Sequence, residues 1–501
     1  MMVGAGTQED PLDFSALRLA RAYRDGELTP SVHIERVLER AHERGEKLGA
    51  FSCFADDLSR RQAARAEEML RAGNDVKAPL LAGIPVPIKD LVEVEGLPFE
   101  AGSPALAGNV STHTDGVAQD IMGAGTLTIG KTTTSEFGMS VFSESPLGAA
   151  RTPWDTRRTA GGSSGGAGAA VASGIAPLAH GNDAGGSVRV PAACNGVLGM
   201  VTSRGTVSSG PHGLDGPGLA RHGMLARTVA DVALGIDLIS RTRPGDAYAG
   251  ARALDTRGCG ALSAVDHTLV ALEAREVPPL RIGLITEPMV ANVELAASSL
   301  EAVERARSLL EALGHTIIEI PAPMTPEDWQ TFMPVWAVGA ASLPLPFGPA
   351  GSAEARVGEE AAGVGALTRW LRRIGAGVSG VEYAAALARI QELTRRMAEA
   401  WQGFEAILTP MLSEPPVLAN RIPSDPHEDF DFQSRFTPFT SVWNMNGFAA
   451  MSVPIHRTVV EGVTLPVGVH LGGTRPGAEG VLLSIAAQLE ALDPWPTLIT
   501  P

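Results

Sequence analysis

GGSSGGAGAAVASGIAPLAHGNDAGGSVRVPA, residues 161–192, is the stretch that decides the fold. Nine of its 32 residues are glycine and four are serine. Glycine at this density weakens helices and strands, because glycine loses the most conformational freedom on folding. It also lets other groups approach the main chain closely. Bare backbone beside several hydroxyl groups therefore indicates a site that is built partly from the main chain.

Two serines of this stretch and one upstream lysine form a candidate nucleophilic site. A serine nucleophile needs a base, and the developing oxyanion needs hydrogen-bond donors. Ser163 lies 24 residues before Ser187. Lys89 lies among apolar residues and prolines in GIPVPIKDL. Burial there disfavours the charged form of a lysine and makes it a competent base.

The loop that carries Ser187 supplies the donors. Its sequence, DAGGS at 183–187, places several backbone N–H groups in succession, and its glycines let a substrate carbonyl come close. The predicted oxyanion donors are the N–H groups of Ala184, Gly185, Gly186 and Ser187. Taken singly, Lys89 also fits an ordinary lysine at a strand edge, and GGSSGG fits a flexible loop.

Two further motifs match the patterns of a phosphate-binding loop and of a nucleophile elbow, but the segments that flank them do not favour either function. GTLTIGKT at 125–132 satisfies the phosphate-loop pattern, but that mechanism needs a strand before the loop and a helix after it. Here a helix-like segment comes first and an apolar, β-branched run follows, which favours a helix-to-strand turn. GGSSG satisfies the nucleophile-elbow pattern GxSxG, with Ser163 or Ser164 as nucleophile. The polar run before it is not a core strand, and this alternative requires an essential histidine, for which His180 is the candidate in this region.

Composition and charge limit the class of protein. A net charge of −16 and a pI near 5.2 argue against binding to nucleic acid. Three scattered cysteines, Cys53, Cys194 and Cys259, form no disulfide framework and no metal-binding pattern. The beginning of the chain predicts no signal peptide, and no apolar run is long enough to cross a membrane. We therefore expect a cytoplasmic protein that needs no metal and no cofactor.

The order of patterns along the chain predicts an α/β fold. Apolar runs such as LRIGLIT and HTIIEI alternate with helical segments, which is typical of a sheet with helices on its faces. Thr29 and Pro30 are typical of a helix start. The helix that they open is predicted to bury a stripe that contains Val32, Val37 and Leu38. Residues 350–402 predict a mostly helical insertion.

Four motifs in order resemble the amidase signature family: GIPVPIKD, AGTLTIGKTTTSEFG, GGSSGGAGAAVASG and GNDAGGSVRVPA. Further similarity, in GMLARTVADVAL, FEAILTPMLSEPP and TLPVGVHLGG, covers nearly the whole chain. The resemblance implies one amidase domain over 1–501, with a mixed central β-sheet covered by helices on both faces. The core signature falls at about 80–230.

The resemblance also implies roles for the candidate residues. It makes Ser187 the nucleophile, Ser163 the bridging serine after a cis peptide bond, and Lys89 the base. A serine beside an oxyanion loop splits amide cleavage into two steps, so we also expect an acyl-enzyme on Ser187. Around this triad the resemblance implies supporting positions for the nucleophile loop at Asp183, Arg189 and Ser164.

This sequence departs from the usual motifs of the family at three positions. The usual GTDTGGS is GNDAGGS here, with Asn182 and Ala184, and Val201 stands where the family has a lysine. The segment LAHGNDAGGSVRVPA looks most similar to the cyclic amide-oligomer (nylon-oligomer) hydrolase branch. Val201 lies outside the triad, so it bears on local packing and not on catalysis.

The substrate stays open at this level. Nine of the 24 aromatic residues fall in two windows, which fit either core packing or an apolar pocket for aryl amides, anilides or carbamates. These residues are Trp329, Phe332, Trp336, Phe430, Phe432, Phe436, Phe439, Trp443 and Phe448. We favour an amide hydrolase acting on a small-molecule amide or carbamate. The alternatives are the amidase-type component of a tRNA-dependent amidotransferase complex, which Asn182 and Ala184 disfavour, and a binding protein with a dead site. A homodimer is one hypothesis for its assembly.

Overall fold

The computed structural model describes most of the chain. The described residues are 10–72, 79–248, 278–343, 345–346, 355–356, 363–496 and 498–501. Cys259 and much of the first part of the predicted insertion, 350–354 and 357–362, lie outside the described residues.

The strands, β1 to β15 in chain order, are Phe51–Phe54, Ile88–Lys89, Gly130–Thr132, Glu144–Ser145, Gly148–Ala149, Leu178–Asp183, Leu198–Val201, Arg221–Ala226, Arg281–Leu284, Thr316–Glu319, Leu345–Pro346, Ala355–Arg356, Ala406–Pro410, Ala450–Val460 and Val463–Gly473. The helices, α1 to α15, are Ala16–Arg24, Pro30–Leu48, Asp56–Arg71, Gly116–Gly123, Gly165–Ala172, Arg189–Asn195, Val229–Ile239, Ala297–Ala312, Pro326–Trp329, Phe332–Ala341, Ala366–Gly377, Gly380–Ala400, Pro426–Phe436, Ser441–Asn446 and Glu479–Leu492. Short 3-10 turns lie at Pro11–Asp13, Pro104–Leu106, Glu136–Gly138 and Ala419–Arg421.

An eight-stranded mixed sheet forms the centre of the molecule. Its strand order is β10-β9-β13-β15-β14-β7-β8-β6. The first three strands run parallel, and the pairs from β13–β15 onward are antiparallel. This confirms the mixed α/β sheet. Strand β6, which leads into the nucleophile loop, lies at one edge.

Helices cover both faces of this sheet. Successive strand residues point to opposite sides, so each strand contributes residues to a core on each face. Leu178 and Met224 pack into one core together with α7, α8 and α15. Ala179 and Leu225, their neighbours in the chain, pack against α5 and α6 on the other face. Small alanines on α5 let that helix lie close to β6.

A three-stranded sheet in the order β1-β3-β2 brings Lys89 to the edge of the main sheet. Lys89 ends β2, and β2 pairs in parallel with β3. The backbone N–H of His180 on β6 donates to the Pro87 carbonyl at 3.1 Å. This bond ties the lysine-bearing segment to β6.

The helix that begins at Pro30 starts as predicted. The Thr29 side chain accepts a hydrogen bond from the Val32 N–H and caps the helix. The predicted buried stripe is wrong at Val32, which is 62% exposed, and Ile34 is buried instead. The predicted helical insertion corresponds in its described part to α11 and α12.

Candidate active site

Lys89 and Ser163 are in direct contact at the edge of the sheet. Both residues are buried, and Lys89 Nζ lies 2.6 Å from Ser163 Oγ. The other two partners of Nζ belong to Asn182: its Oδ1 at 2.6 Å and its backbone carbonyl oxygen at 3.3 Å. The Gly162–Ser163 peptide bond is cis. The structure therefore brings together two of the predicted site residues, which are 74 positions apart in the chain.

The surroundings of Lys89 favour its neutral form. Complete burial holds the pKa of the lysine well below its usual range, and the charge of nearby Asp183 opposes this shift only in part. Burial therefore favours the neutral amine of Lys89 more than exposure to solvent would, and a neutral amine carries the lone pair that a base needs.

Ser187 lies in the loop between β6 and α6, next to the turn of Ser163. The backbone N–H of Ser164 donates to the Ser187 carbonyl at 3.1 Å, which joins the two glycine-rich turns. The Ser164 hydroxyl faces the Asn182 carbonyl at 3.4 Å. Ser187 is 5% exposed and lines a pocket that opens to solvent. Its side chain is therefore accessible from that pocket.

Asp183 and Arg189 form a buried ion pair beneath the nucleophile loop. The two oxygens of Asp183 accept the N–H groups of Gly186 and Val188, at 2.8 and 3.0 Å, as well as two N–H groups of Arg189. Burial by itself would raise the pKa of Asp183, but the Arg189 charge and these hydrogen bonds hold it below its usual range. The carboxylate thus fixes the loop from below as a permanent anion.

All five N–H groups of Arg189 have acceptors. Two go to Asp183, and the other three go to the Thr440 carbonyl at 2.8 Å, the Asn444 Oδ1 at 2.6 Å and the His470 Nε2 at 3.0 Å. Because arginine only donates, His470 must accept at Nε2. Burial and then the Arg189 charge hold the pKa of His470 well below its usual range, which agrees with a neutral ring.

One of the four predicted oxyanion donors is not free. The Gly186 N–H donates to Asp183 Oδ1, so it cannot also bind a substrate oxygen with good geometry. This corrects the prediction for Gly186. Within the described residues, the backbone N–H groups of Ala184, Gly185 and Ser187 have no hydrogen-bond partner.

Close contacts require glycine at Gly186, in the nucleophile loop, and at Gly166, in α5. Gly186 has φ +135°, and a Cβ atom there would lie 2.6 Å from the Thr440 hydroxyl oxygen. That hydroxyl donates to the Gly185 carbonyl at 2.5 Å. At Gly166, a Cβ atom would lie 2.3 Å from the Ala50 carbonyl oxygen. Part of the glycine in the opening stretch therefore serves close backbone packing and not substrate access.

The two alternative motifs lie in other surroundings. The segment 125–132 connects α4 to β3 in the order helix, turn, strand, and its Lys131 is buried against Asp90 at 2.8 Å. His180 is buried, and its ring nitrogen Nε2 lies 3.0 Å from Nδ1 of His222. No hydrogen bond of the described residues joins His180 to a serine.

The aromatic windows divide between a pocket and the core. Trp329, Phe332, Trp336 and Phe430 line the pocket that contains Ser187, and the Trp329 and Phe332 rings stack at 5.4 Å. The remaining five are core residues or pack against the core: Phe432, Phe436, Phe439, Trp443 and Phe448. The four pocket residues also belong to the core or pack against it, so core packing accounts for both windows, and the class of substrate stays a prediction.

Sequence reasoning missed two groups of residues. One group accepts hydrogen bonds from Arg189 beneath the nucleophile loop, and the other lines the polar side of the pocket. Thr440 and Asn444 are separated from Arg189 by about half of the chain, so no local pattern connects them. Gln433 lines the pocket and accepts the Val141 N–H at 3.0 Å. No group of three or more histidine, cysteine, aspartate or glutamate side chains is placed to hold a metal ion among the described residues.

The sequence comparisons settle the family. The family model described as Amidase matches residues 33–483, which is most of the chain. The chain belongs to the amidase signature family. It is 32% identical over 502 residues to the "Putative amidase AmiB2" of Mycobacterium tuberculosis (strain ATCC 25618 / H37Rv), covering 97% of this chain and 98% of the relative.

Solved amidase signature structures share the fold over nearly their full length. The structure of 6-aminohexanoate cyclic dimer hydrolase complexed with substrate gives a TM-score of 0.83 at 26% identity and covers 97% of this chain and 98% of that chain. A glutamyl-tRNA(Gln) amidotransferase chain from Thermotoga maritima gives 0.72 at 25% identity and covers 97% and 96%. The chain is a hydrolase that acts on C–N bonds. Among the described residues, no helix has the length and apolar character to span a bilayer.

Proposed function

We propose that this amidase works through a Ser187–Ser163–Lys89 triad and an acyl-enzyme. The observation that carries the proposal is the set of partners of Lys89 Nζ. Of its three neighbours, only the Ser163 hydroxyl carries a proton, because both Asn182 oxygens are acceptors. A base in this position takes its proton from Ser163.

The reaction then follows as a two-step acyl transfer. Ser187 Oγ attacks the amide carbonyl while its proton passes to Ser163, whose own proton passes to Lys89. The carbonyl oxygen becomes an oxyanion that faces the free N–H groups of the nucleophile loop. Lys89 returns the proton through Ser163 to the leaving amine nitrogen as the C–N bond breaks. Water then attacks the Ser187 ester and releases the acid.

The free donors for the oxyanion are the N–H groups of Ala184, Gly185 and Ser187. Asp183 and Arg189 hold the loop through bonds to the Gly186 and Val188 N–H groups and to each other, and donors held in place before the reaction are the effective ones. Ser164 supports the geometry through its bond to the Ser187 carbonyl. We propose the whole chain, 1–501, as one amidase domain that needs no cofactor.

The pocket favours small hydrophobic substrates. Aromatic rings of α9, α10 and α13 form one wall beside Ser187, and Gly138, Met139 and Val141 contribute to another. Apolar walls with few polar groups select apolar or aryl ligands. We therefore propose small hydrophobic or aryl amides, anilides or carbamates as the substrate class.

The amidotransferase alternative has less support. The amidotransferase chain from Thermotoga maritima is less similar in structure than the cyclic dimer hydrolase, with TM-scores of 0.72 and 0.83. A second protein of an amidotransferase complex that copurifies with this chain would favour that alternative. A homodimer and a cytoplasmic location stay predictions.

The position of the covalent intermediate tests the proposal. An alkyl fluorophosphonate should modify Ser187, and peptide mass spectrometry should find the adduct there. Ser187→Ala should abolish the modification, whereas the nucleophile-elbow alternative places the adduct on Ser163 or Ser164. With an anilide substrate, added hydroxylamine should divert the acyl group to a hydroxamate. Free acid as the sole product, together with an unmodified Ser187, would refute the acyl-enzyme.

A further inference from the structure

Three atoms lie within hydrogen-bond distance of the Lys89 amine, and two of them belong to one residue. Asn182 presents its Oδ1 at 2.6 Å and its backbone carbonyl oxygen at 3.3 Å. The third atom is the Ser163 hydroxyl oxygen at 2.6 Å. Asn182 stands where the usual motif has threonine, so a carboxamide here replaces a hydroxyl group.

We propose that Asn182 is a positioning residue that aims the lone pair of the Lys89 amine at the Ser163 hydroxyl. This inference rests on the proposed function, in which Lys89 is the base. A neutral amine has two N–H bonds and one lone pair. The two Asn182 oxygens only accept hydrogen bonds, so they take both N–H bonds and leave the lone pair toward Ser163.

The same three partners suit both protonation states of Lys89. When the amine takes a proton from Ser163, its third N–H donates back to Ser163 Oγ, and both bonds to Asn182 persist. Proton transfer therefore needs no rotation of either side chain, which is the advantage of a preorganised site. A threonine hydroxyl can donate as well as accept, so it would constrain the amine less.

The carboxylates near Lys89 are held by other cations. Asp183 is bonded to Arg189 at 2.8 Å and to backbone N–H groups of the nucleophile loop. Asp90 follows Lys89 in the chain and pairs with Lys131 at 2.8 Å. Among the described residues, neither carboxylate is a hydrogen-bond partner of Lys89 Nζ.

The two histidines near Lys89 are neutral. His180 and His222 share a hydrogen bond of 3.0 Å on neighbouring strands. Burial holds the pKa of His180 well below its usual range and lowers the pKa of His222 to about 4. Asn182 is therefore the group that fixes the amine directly, without adding charge to it.

The pH dependence of Ser187 modification by an alkyl fluorophosphonate tests the inference on the intact protein. The reaction forms the Ser187 Oγ–P bond, expels fluoride and passes the hydroxyl proton through Ser163 to Lys89. The rate should rise with pH as Lys89 loses its proton. Asn182→Asp puts a carboxylate against Nζ and favours the ammonium, so the midpoint should move up by about one pH unit or more.

Two further variants sharpen this test. Asn182→Leu keeps the size of the side chain but removes its acceptor, and the limiting rate at high pH should fall about tenfold or more, because the lone pair is no longer held. Asn420→Asp is the control, since it adds the same charge at an exposed residue of the 3-10 turn Ala419–Arg421. Its pH profile should match that of the unchanged protein.

The outcomes separate this inference from the proposed function. An unchanged midpoint in folded Asn182→Asp, or an unchanged limiting rate in folded Asn182→Leu, would overturn the role of Asn182; circular dichroism checks folding. Lys89→Ala tests the proposed function. Undiminished modification of Lys89→Ala would overturn the base itself. Modification lost in Lys89→Ala, together with an unchanged Asn182→Asp midpoint, would overturn only the positioning role.

Discussion

Lys89 and Lys131 are two fully buried lysines on neighbouring parallel strands, and they differ in their partners. Lys131 lies 2.8 Å from the Asp90 carboxylate and 5.5 Å from the centre of the Phe99 ring. Among the described residues, the hydrogen-bond partners of Lys89 are the neutral side chains of Ser163 and Asn182 and the Asn182 carbonyl. Burial without a bonded carboxylate lowers the pKa of Lys89 well below its usual range. The comparison teaches that two equally buried lysines can have different hydrogen-bond partners, and the proposed role of Lys89 as a base depends on that difference.

The largest expected effect separates the two lysines in catalysis. Lys89→Ala should reduce kcat on the order of 10⁴-fold, because the variant lacks the base that the proposed mechanism requires. Steady-state kinetics with an anilide substrate measures this loss. The control is Lys47→Ala, an exposed lysine on α2, which should retain full activity. A Lys89→Ala enzyme with nearly full kcat would show that Lys89 is not the base.

Lys131 should matter for stability instead. Lys131→Met leaves the Asp90 carboxylate buried without a cation and should lower the free energy of unfolding by about 3–5 kcal/mol. Urea denaturation followed by circular dichroism measures this change. The double variant Lys131→Met/Asp90→Asn removes the uncompensated charge and should recover much of the loss. If the double variant is no more stable than the single one, the ion pair is not the source of the effect.

The smallest effect is expected at His180, the buried histidine close to Lys89. His180→Gln should change kcat by less than about tenfold, because the ring contacts His222 and no serine. Kinetics of the purified variant, beside Ser187→Ala as an inactive reference, checks this. An inactive, folded His180→Gln would favour a serine–histidine mechanism and would make the neutral lysine irrelevant to catalysis.

Local patterns predicted part of the site well. The glycine-rich turns and the apolar context of Lys89 selected residues that the structure places together, and the resemblance supplied their order. Asp183 ends β6 and Arg189 begins α6 six positions later, so the short loop between them brings the two side chains into contact. The oxyanion prediction fails at Gly186, because the direction of its N–H depends on where the Asp183 side chain lies, and a sequence motif does not contain that information.

The helix from Pro30 shows the same division within one element. Its start was predictable, because the Thr29 side chain caps the helix by accepting the N–H of Val32, only three residues later. The buried stripe was mispredicted at Val32, which lies five positions from Val37 and so on another side of the helix. Ile34, three positions before Val37, fits the helical period and is buried.

The family, the α/β class and the helix start at Pro30 were predictable from the sequence, because these depend on motifs and on contacts between residues close in the chain; the triad stays a prediction. Only the tertiary structure decided which aromatic residues line the pocket, which N–H groups are free and what neutralises each buried charge. Arg189 reaches Thr440, Asn444 and His470 across more than 250 positions. Such contacts depend on how the sheet, α6 and α14 pack, and no spacing along the chain specifies them.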